Sequence, residues 1–188
     1  MSVEAHKKTK FSFDALSQGK LGITKNCGAF LAEAACYCLF LNQHPEPVGL
    51  KISGDTEQDG VLEWSCPEDE NLARRTYPDL PETVEKGAYG VAIVVVTKLE
   101  NIPAVEQSPK GTGVDYWLSG DDDTNIFKAR LEISGILKGT PGQVQSRLKQ
   151  KLKQTEASDN TKIPAHAAVV EFSFPEIRIA KRNSEGTA

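Results

Sequence analysis

The spacing of apolar positions changes several times along the chain, and each change marks an element. Positions 26–43 carry Phe30, Leu31, Ala35, Tyr37, Leu39, Phe40 and Leu41 on nearly every side. That pattern predicts a well-buried helix, capped by Asn26 and ended by His44, Pro45 and Pro47. Val48, Leu50 and Ile52 alternate with polar residues, and VLEWS at 61–65 follows a polar turn. The two runs read as a small β-hairpin. Positions 66–81 are charged and broken by proline, so they read as a connector with a boundary near residue 80. Residues 1–22 are expected to be a polar lead-in.

The second half is patterned more regularly. Asp79, Leu80, Pro81 and Glu82 form a helix start with the makings of a capping box. Beyond them, Val84, Ala88, Val91, Val95 and Leu99 recur at helical spacing. The AIVVV run inside this segment favours a strand by propensity, but length and spacing favour a buried helix. AVEQS at 104–108 is a short strand. Thr140, Pro141 and Gln143 announce another helix, with cap, first-turn proline and capping-box partner in place. Its apolar stripe is Val144, Leu148 and Leu152, and Arg147, Lys149, Lys151 and Lys153 make the rest basic. Residues 158–164 read as a loop, HAAVVEFSF as a last interior strand ended by Pro175, and 181–188 as a disordered tail.

Between these helices, positions 110–135 read as two strands joined by a turn rich in Gly120, Asp121, Asp122, Asp123 and Asn125. Alternation puts Val114, Tyr116 and Leu118 on one face of the first strand, and Asp115 and Trp117 on the other. In the second strand Ala129, Leu131 and Ile133 share a face, and Lys128, Arg130, Glu132 and Ser134 share the opposite one. A loop over 121–126 brings Asp115 and Glu132 opposite each other. Facing carboxylates about 5 Å apart repel unless a cation lies between them, and hard divalent cations take oxygen ligands. The plainer reading makes both acids solvated strand residues. Trp117 likewise serves either as a stacking platform for a base or as core or interface filling.

Composition narrows the function classes. A net charge of −4 over 188 residues argues against broad wrapping of nucleic acid but leaves room for a local basic groove. The apolar runs are too short to span a bilayer, and the first residues lack the apolar core of a secretory signal. A cytoplasmic protein without membrane attachment is the expectation. Cys27, Cys36, Cys38 and Cys66 contain no CxxC pair, and His6, His44 and His166 show no ligand spacing, so the cysteines read as buried reduced thiols. There is no GxxxxGK[ST] and no GxSxG. KGTG at 110–113 and KGTPG at 138–142 read as turns.

The order from residue 81 onward is helix, strand, strand, strand, helix, strand. With Glu85 on the first helix, Asp115 on the second strand and Glu132 on the third, it resembles the PD-(D/E)xK nuclease superfamily. The resemblance covers roughly the last hundred residues. It implies an α/β (α+β) fold: a restriction-endonuclease-like αβββαβ core over 81–180, with a mixed central sheet flanked by helices. An N-terminal helix and small hairpin over 23–80 extend it. It implies Mg²⁺ or Mn²⁺ held by Asp115, Glu132 and the carbonyl of Ile133, with Glu85 as the helix acid. The pattern departs from the family's where Val114 replaces proline and Ser134 replaces lysine. Lys151 on the following helix is the preferred substitute among Lys128, Arg130 and Lys151. Lys128, Arg130, Arg147 and Lys149 would contact DNA. Such a chain is expected to be a metal-dependent nuclease in restriction, phage defence or repair, acting as a homodimer or within a larger complex. The alternative is a non-catalytic nuclease-like subunit that binds a protein or nucleic acid.

Overall fold

The computed structural model describes residues 8–120 and 127–183. The turn residues Asp121, Asp122, Asp123 and Asn125 and the outer ends of the lead-in and tail lie outside the described residues. Eight strands form one mixed sheet in the order β1-β3-β2-β8-β7-β6-β5-β4. They are β1 (Thr9–Ser12), β2 (Val48–Gly54), β3 (Gln58–Glu63), β4 (Ala104–Gln107), β5 (Tyr116–Ser119), β6 (Phe127–Ile136), β7 (Ala165–Glu171) and β8 (Glu176–Arg182). The helices are α1 (Asp14–Ser17), α2 (Lys25–Leu41), α3 (Glu70–Thr76), α4 (Leu80–Glu100) and α5 (Pro141–Gln154). A 3-10 stretch, Thr155–Thr161, follows α5 where a loop was expected.

Strands β4, β5 and β6 run antiparallel in turn, and β7 returns parallel to β6 across the α5 connection. β7 is buried along its whole length, as a central strand covered on both faces must be. Its residues alternate between two cores. Ala168 and Val170 join the large core with α2 and α4, while Ala167 and Val169 pack under Val144 and Leu148 of α5. The helices therefore cover opposite faces of the sheet.

α4 is ordered by its sequence from its first turn. The Asp79 side chain accepts from the amide of Glu82, and Pro81 occupies the first turn, where its missing N–H costs nothing. The helix is apolar nearly all round because it is sandwiched between α2 and the sheet. Glycine permits both close approaches. A Cβ on Gly90 would lie 2.7 Å from the Leu31 carbonyl oxygen of α2, and one on Gly135 of β6 would lie 2.4 Å from that of Val84. α5 carries the complete capping box between Thr140 and Gln143 that its sequence announces.

Several expectations are corrected at the N-terminal side. Thr24, not Asn26, caps α2, and its hydroxyl accepts from the Cys27 amide. The lead-in contains β1 and α1, and Phe11, Phe13 and Leu16 are core residues. The connector contains α3, capped by Asp69. After Pro175 the alternation of Ile177 and Ile179 forms β8, which runs to Arg182, into the segment expected to be tail. β8 also pairs with β2, so the hairpin belongs to the same sheet as the C-terminal strands. All four cysteines are unpaired, and Cys66 is exposed. Among the described residues no helix is long and apolar enough to cross a membrane.

Candidate functional site

Asp115 stands just before the first residue of β5. Its amide donates to the Leu131 carbonyl of β6, and its carbonyl accepts from the Ser108 amide. The register pairs Tyr116 with Leu131 and Trp117 with Arg130, so one step further along it Asp115 meets Glu132. This is the juxtaposition expected from alternation. Because β5 starts only at Tyr116, groups from α4 and α5 reach the acids around the end of the strand.

From α4 comes Tyr89, whose hydroxyl lies 2.8 Å from Asp115 Oδ1 and 2.9 Å from Glu85 Oε1. From β6 the amide of Ile133 donates to Asp115 Oδ2 at 2.7 Å. From α5, Lys151 Nζ lies 2.5 Å from Glu132 Oε1. Glu85, Asp115, Glu132 and Lys151 are thus brought together from elements separated in sequence. Glu132 is only 5% exposed. Burial and the charge of Asp115 push its carboxyl up to about 7, against the opposing pull of Lys151. Burial and the two neighbouring carboxylates push the Tyr89 phenol far above its ordinary range, so it stays protonated.

The larger cleft at the site has a volume of about 700 Å³. Leu80, Pro81, Val84, Glu85 and Tyr89 line it from α4, and Arg147 and Lys151 line it from α5. A smaller hollow of about 350 Å³ shares Glu85, Tyr89 and Asp115 and is walled by Lys86, Lys110 and Glu132. Arg147 Nη1 donates to Ser134 Oγ at 3.0 Å. Ser134 stands where the resemblance would put lysine, and it lines the larger cleft together with Arg147 and Lys151 of α5.

Compared with known proteins, the chain matches no family model, no curated protein and no solved structure at a significant level.

The remaining candidate residues divide. Lys128 and Lys149 are exposed and line neither cleft. Arg130 is corrected: it is 0% exposed, and cannot contact nucleic acid at the surface. Its guanidinium donates to the carbonyls of Ile163 and Thr155, to Ser158 Oγ and to Asp159. It therefore ties β6 to the 3-10 stretch. Trp117 stacks on Phe127 with ring centres 5.0 Å apart. Tyr89 was missed by the sequence reading, although its position one helical turn after Glu85 was a usable signal. Among the described residues, no group of three or more His, Cys, Asp or Glu side chains is disposed to hold a metal ion together.

Proposed function

We propose that the chain is a metal-dependent phosphodiester hydrolase, a nuclease or nuclease-like domain acting on DNA. The observation that carries this reading is the convergence of Asp115, Glu132 and Lys151: Lys151 pairs with Glu132, and Asp115 lines both the larger cleft with Lys151 and the smaller hollow with Glu132. The order α4, β4, β5, β6, α5, β7 also supports the restriction-endonuclease-like resemblance.

The donor set fits a hard cation. Asp115 and Glu132 present carboxylate oxygens, and burial together with the charge of Asp115 raises the Glu132 carboxyl. Mg²⁺ is usually held by only one or two carboxylates, with waters and substrate phosphate completing its shell. Asp115 and Glu132 would hold it, with the Ile133 carbonyl as a third ligand by resemblance. Bound there, Mg²⁺ or Mn²⁺ would supply a more acidic water and stabilise charge on the phosphate.

The chain's own residues supply the rest. Tyr89 and the Ile133 amide fix the two oxygens of Asp115. Lys151, paired with Glu132, would offer its remaining N–H donors to a phosphoryl oxygen as it gains negative charge. As water oxygen bonds to phosphorus, the ester P–O bond breaks and the leaving oxygen takes up a proton. Glu85 holds the far side of the Tyr89 hydroxyl.

Asp115→Ala is expected to abolish Mg²⁺-dependent cleavage of DNA in a chain that stays folded, as thermal melting would check. Undiminished cleavage by that variant would overturn the reading. A second reading, a non-catalytic nuclease-like subunit, is favoured by the protein donors that already satisfy Glu132 and both Asp115 oxygens. It predicts that the wild-type chain binds no Mn²⁺ and cleaves nothing.

A further inference from the structure

We infer that the larger cleft takes an unpaired nucleotide of single-stranded DNA, its base against Leu80, Pro81 and Leu137 and its phosphate on Arg147. The inference rests on the hydrolase reading and names the form of substrate that reading leaves open. Its starting point is a difference between two neighbouring cations. Lys151 is paired with Glu132. Arg147, one turn earlier on α5, makes no ion pair among the described residues, and its one hydrogen bond goes to Ser134 Oγ. Its guanidinium is therefore oriented but not neutralised, on the wall of a cleft. A planar guanidinium with donors to spare matches phosphate oxygens in geometry and charge.

The other wall has the opposite character. Leu80, at the start of α4, is 41% exposed and lies at the cleft beside Pro81, with Val84 and Leu137 deeper in. A wall of this kind suits the flat face of a base, as Arg147 suits the phosphate attached to it. In a duplex both faces of each base are covered by its neighbours in the stack. Only an unpaired nucleotide has a face to offer, and base faces are what binders of single strands engage. The cleft, about 700 Å³, is of the size that encloses small organic groups, roughly 300–1,000 Å³.

The test is fluorescence anisotropy with a labelled oligo-dT strand of ~12 nucleotides, within the span of single-strand binding sites, and a blunt duplex of equal length. Every protein carries Asp115→Asn, so that the probe is not consumed. The single strand should bind at least tenfold more tightly than the duplex. Adding Arg147→Ala should weaken single-strand binding about tenfold and reduce the slope of log affinity against log salt by about 0.7, the loss of one phosphate contact. Leu80→Ala should weaken it severalfold without changing the slope. Ser134→Ala should move affinity in the same direction as Arg147→Ala, by less, and Arg147→Lys should recover the salt slope. Both Leu80 and Arg147 are exposed, so folding should survive, which thermal melting would check.

Equal binding of duplex and single strand, no binding of either, or silent Arg147→Ala and Leu80→Ala variants would overturn the inference. If cleavage by the otherwise wild-type chain still depends on Asp115, only this mode of binding fails. If it does not, the hydrolase reading itself fails.

Discussion

Tyr89 and Asp115, 26 positions apart, are joined by a hydrogen bond of 2.8 Å between the phenol of α4 and the carboxylate at the head of β5. The same hydroxyl lies 2.9 Å from Glu85. A phenol has one proton, and here two carboxyl groups compete for it. The contact therefore couples the helix acid to the strand acid and holds Asp115 in the orientation in which its other oxygen accepts from Ile133.

Removing that hydroxyl should leave the fold intact and disturb the site. A hydrogen bond to a charged group contributes about 1.5–3 kcal/mol. If it acts on the reaction, Tyr89→Phe should slow cleavage about tenfold to a hundredfold. Calorimetric titration of Mn²⁺ should show weaker binding by the variant. Unchanged metal affinity and unchanged cleavage together would reduce Tyr89 to packing against Tyr116, whose ring it meets edge-on at 5.6 Å.

Lys151 is tested best as part of a pair. Lys151→Met keeps the length of the side chain and removes the charge, leaving the buried carboxyl of Glu132 without its cation. Measured at a pH above about 7, where Glu132 is ionised beside Lys151, the expected cost in stability is up to about 3 kcal/mol, below the range for a fully buried pair because Lys151 is partly exposed. Glu132→Gln in the same chain should restore most of that loss, since the amide has no charge to compensate. A double-mutant cycle by urea denaturation reads the coupling directly. Cleavage should be lost in all three variants, and recovery of activity alongside stability would refute the assigned roles.

Asp115 and Glu132 were legible in the sequence because each lies in an element with strong local signals, whereas Lys151 enters as one of three substitutes for the lysine that the resemblance implies. Alternation put Asp115 and Glu132 on one face of their strands, and the capping box at Thr140 and Gln143 marks where α5, which carries Lys151, begins. Other features were hidden because tertiary contacts decide them. Arg130 shares a strand face with Glu132, yet it is enclosed by the 3-10 stretch, which no local pattern announces. β1 spans four residues and is held by pairing with β3, 51 positions away in register. Such a strand carries too few alternations to be read alone. β8 has its alternation, in Ile177 and Ile179, but it follows directly on Pro175, a residue that ordinarily ends a strand.

The seat of α4 on the sheet should be sensitive to a single methyl group. A Cβ at Gly135 would stand 2.4 Å from Val84 O and 2.7 Å from Val84 Cγ1. Gly135→Ala must therefore push the first turns of α4 outward, the turns that carry Glu85 and Tyr89. Overpacking of this kind costs about 1–3 kcal/mol, seen as a lowered melting temperature. Cleavage should fall even well below that temperature, because the displaced helix no longer holds Asp115. Normal activity in the folded variant would show that the position of α4 does not govern the site.

The acid stability of the protein should depend on Asp159. Hydrogen bonds from Arg182 and Arg130 hold its carboxyl down at about 2, against the opposing effect of partial burial. In the unfolded chain an aspartate titrates near 3.9. The folded state therefore binds this proton less readily than the unfolded state does. Its contribution to stability is fully present above about pH 4 and is lost as pH falls toward about 2. Asp159→Asn should flatten the stability profile in that window, as measured by urea denaturation at a series of pH values. It should also lower stability at neutral pH, because Arg130, enclosed at 0% exposure, would keep its carbonyl and hydroxyl acceptors but lose its counter-ion. Arg130→Ala should also be destabilising, because it leaves the carbonyls of Ile163 and Thr155 without their donor and opens a cavity between β6 and the segment following α5. If the acid limb of Asp159→Asn superimposes on that of the wild type, the two arginines do not set this carboxyl, and another group must account for the loss of stability in acid.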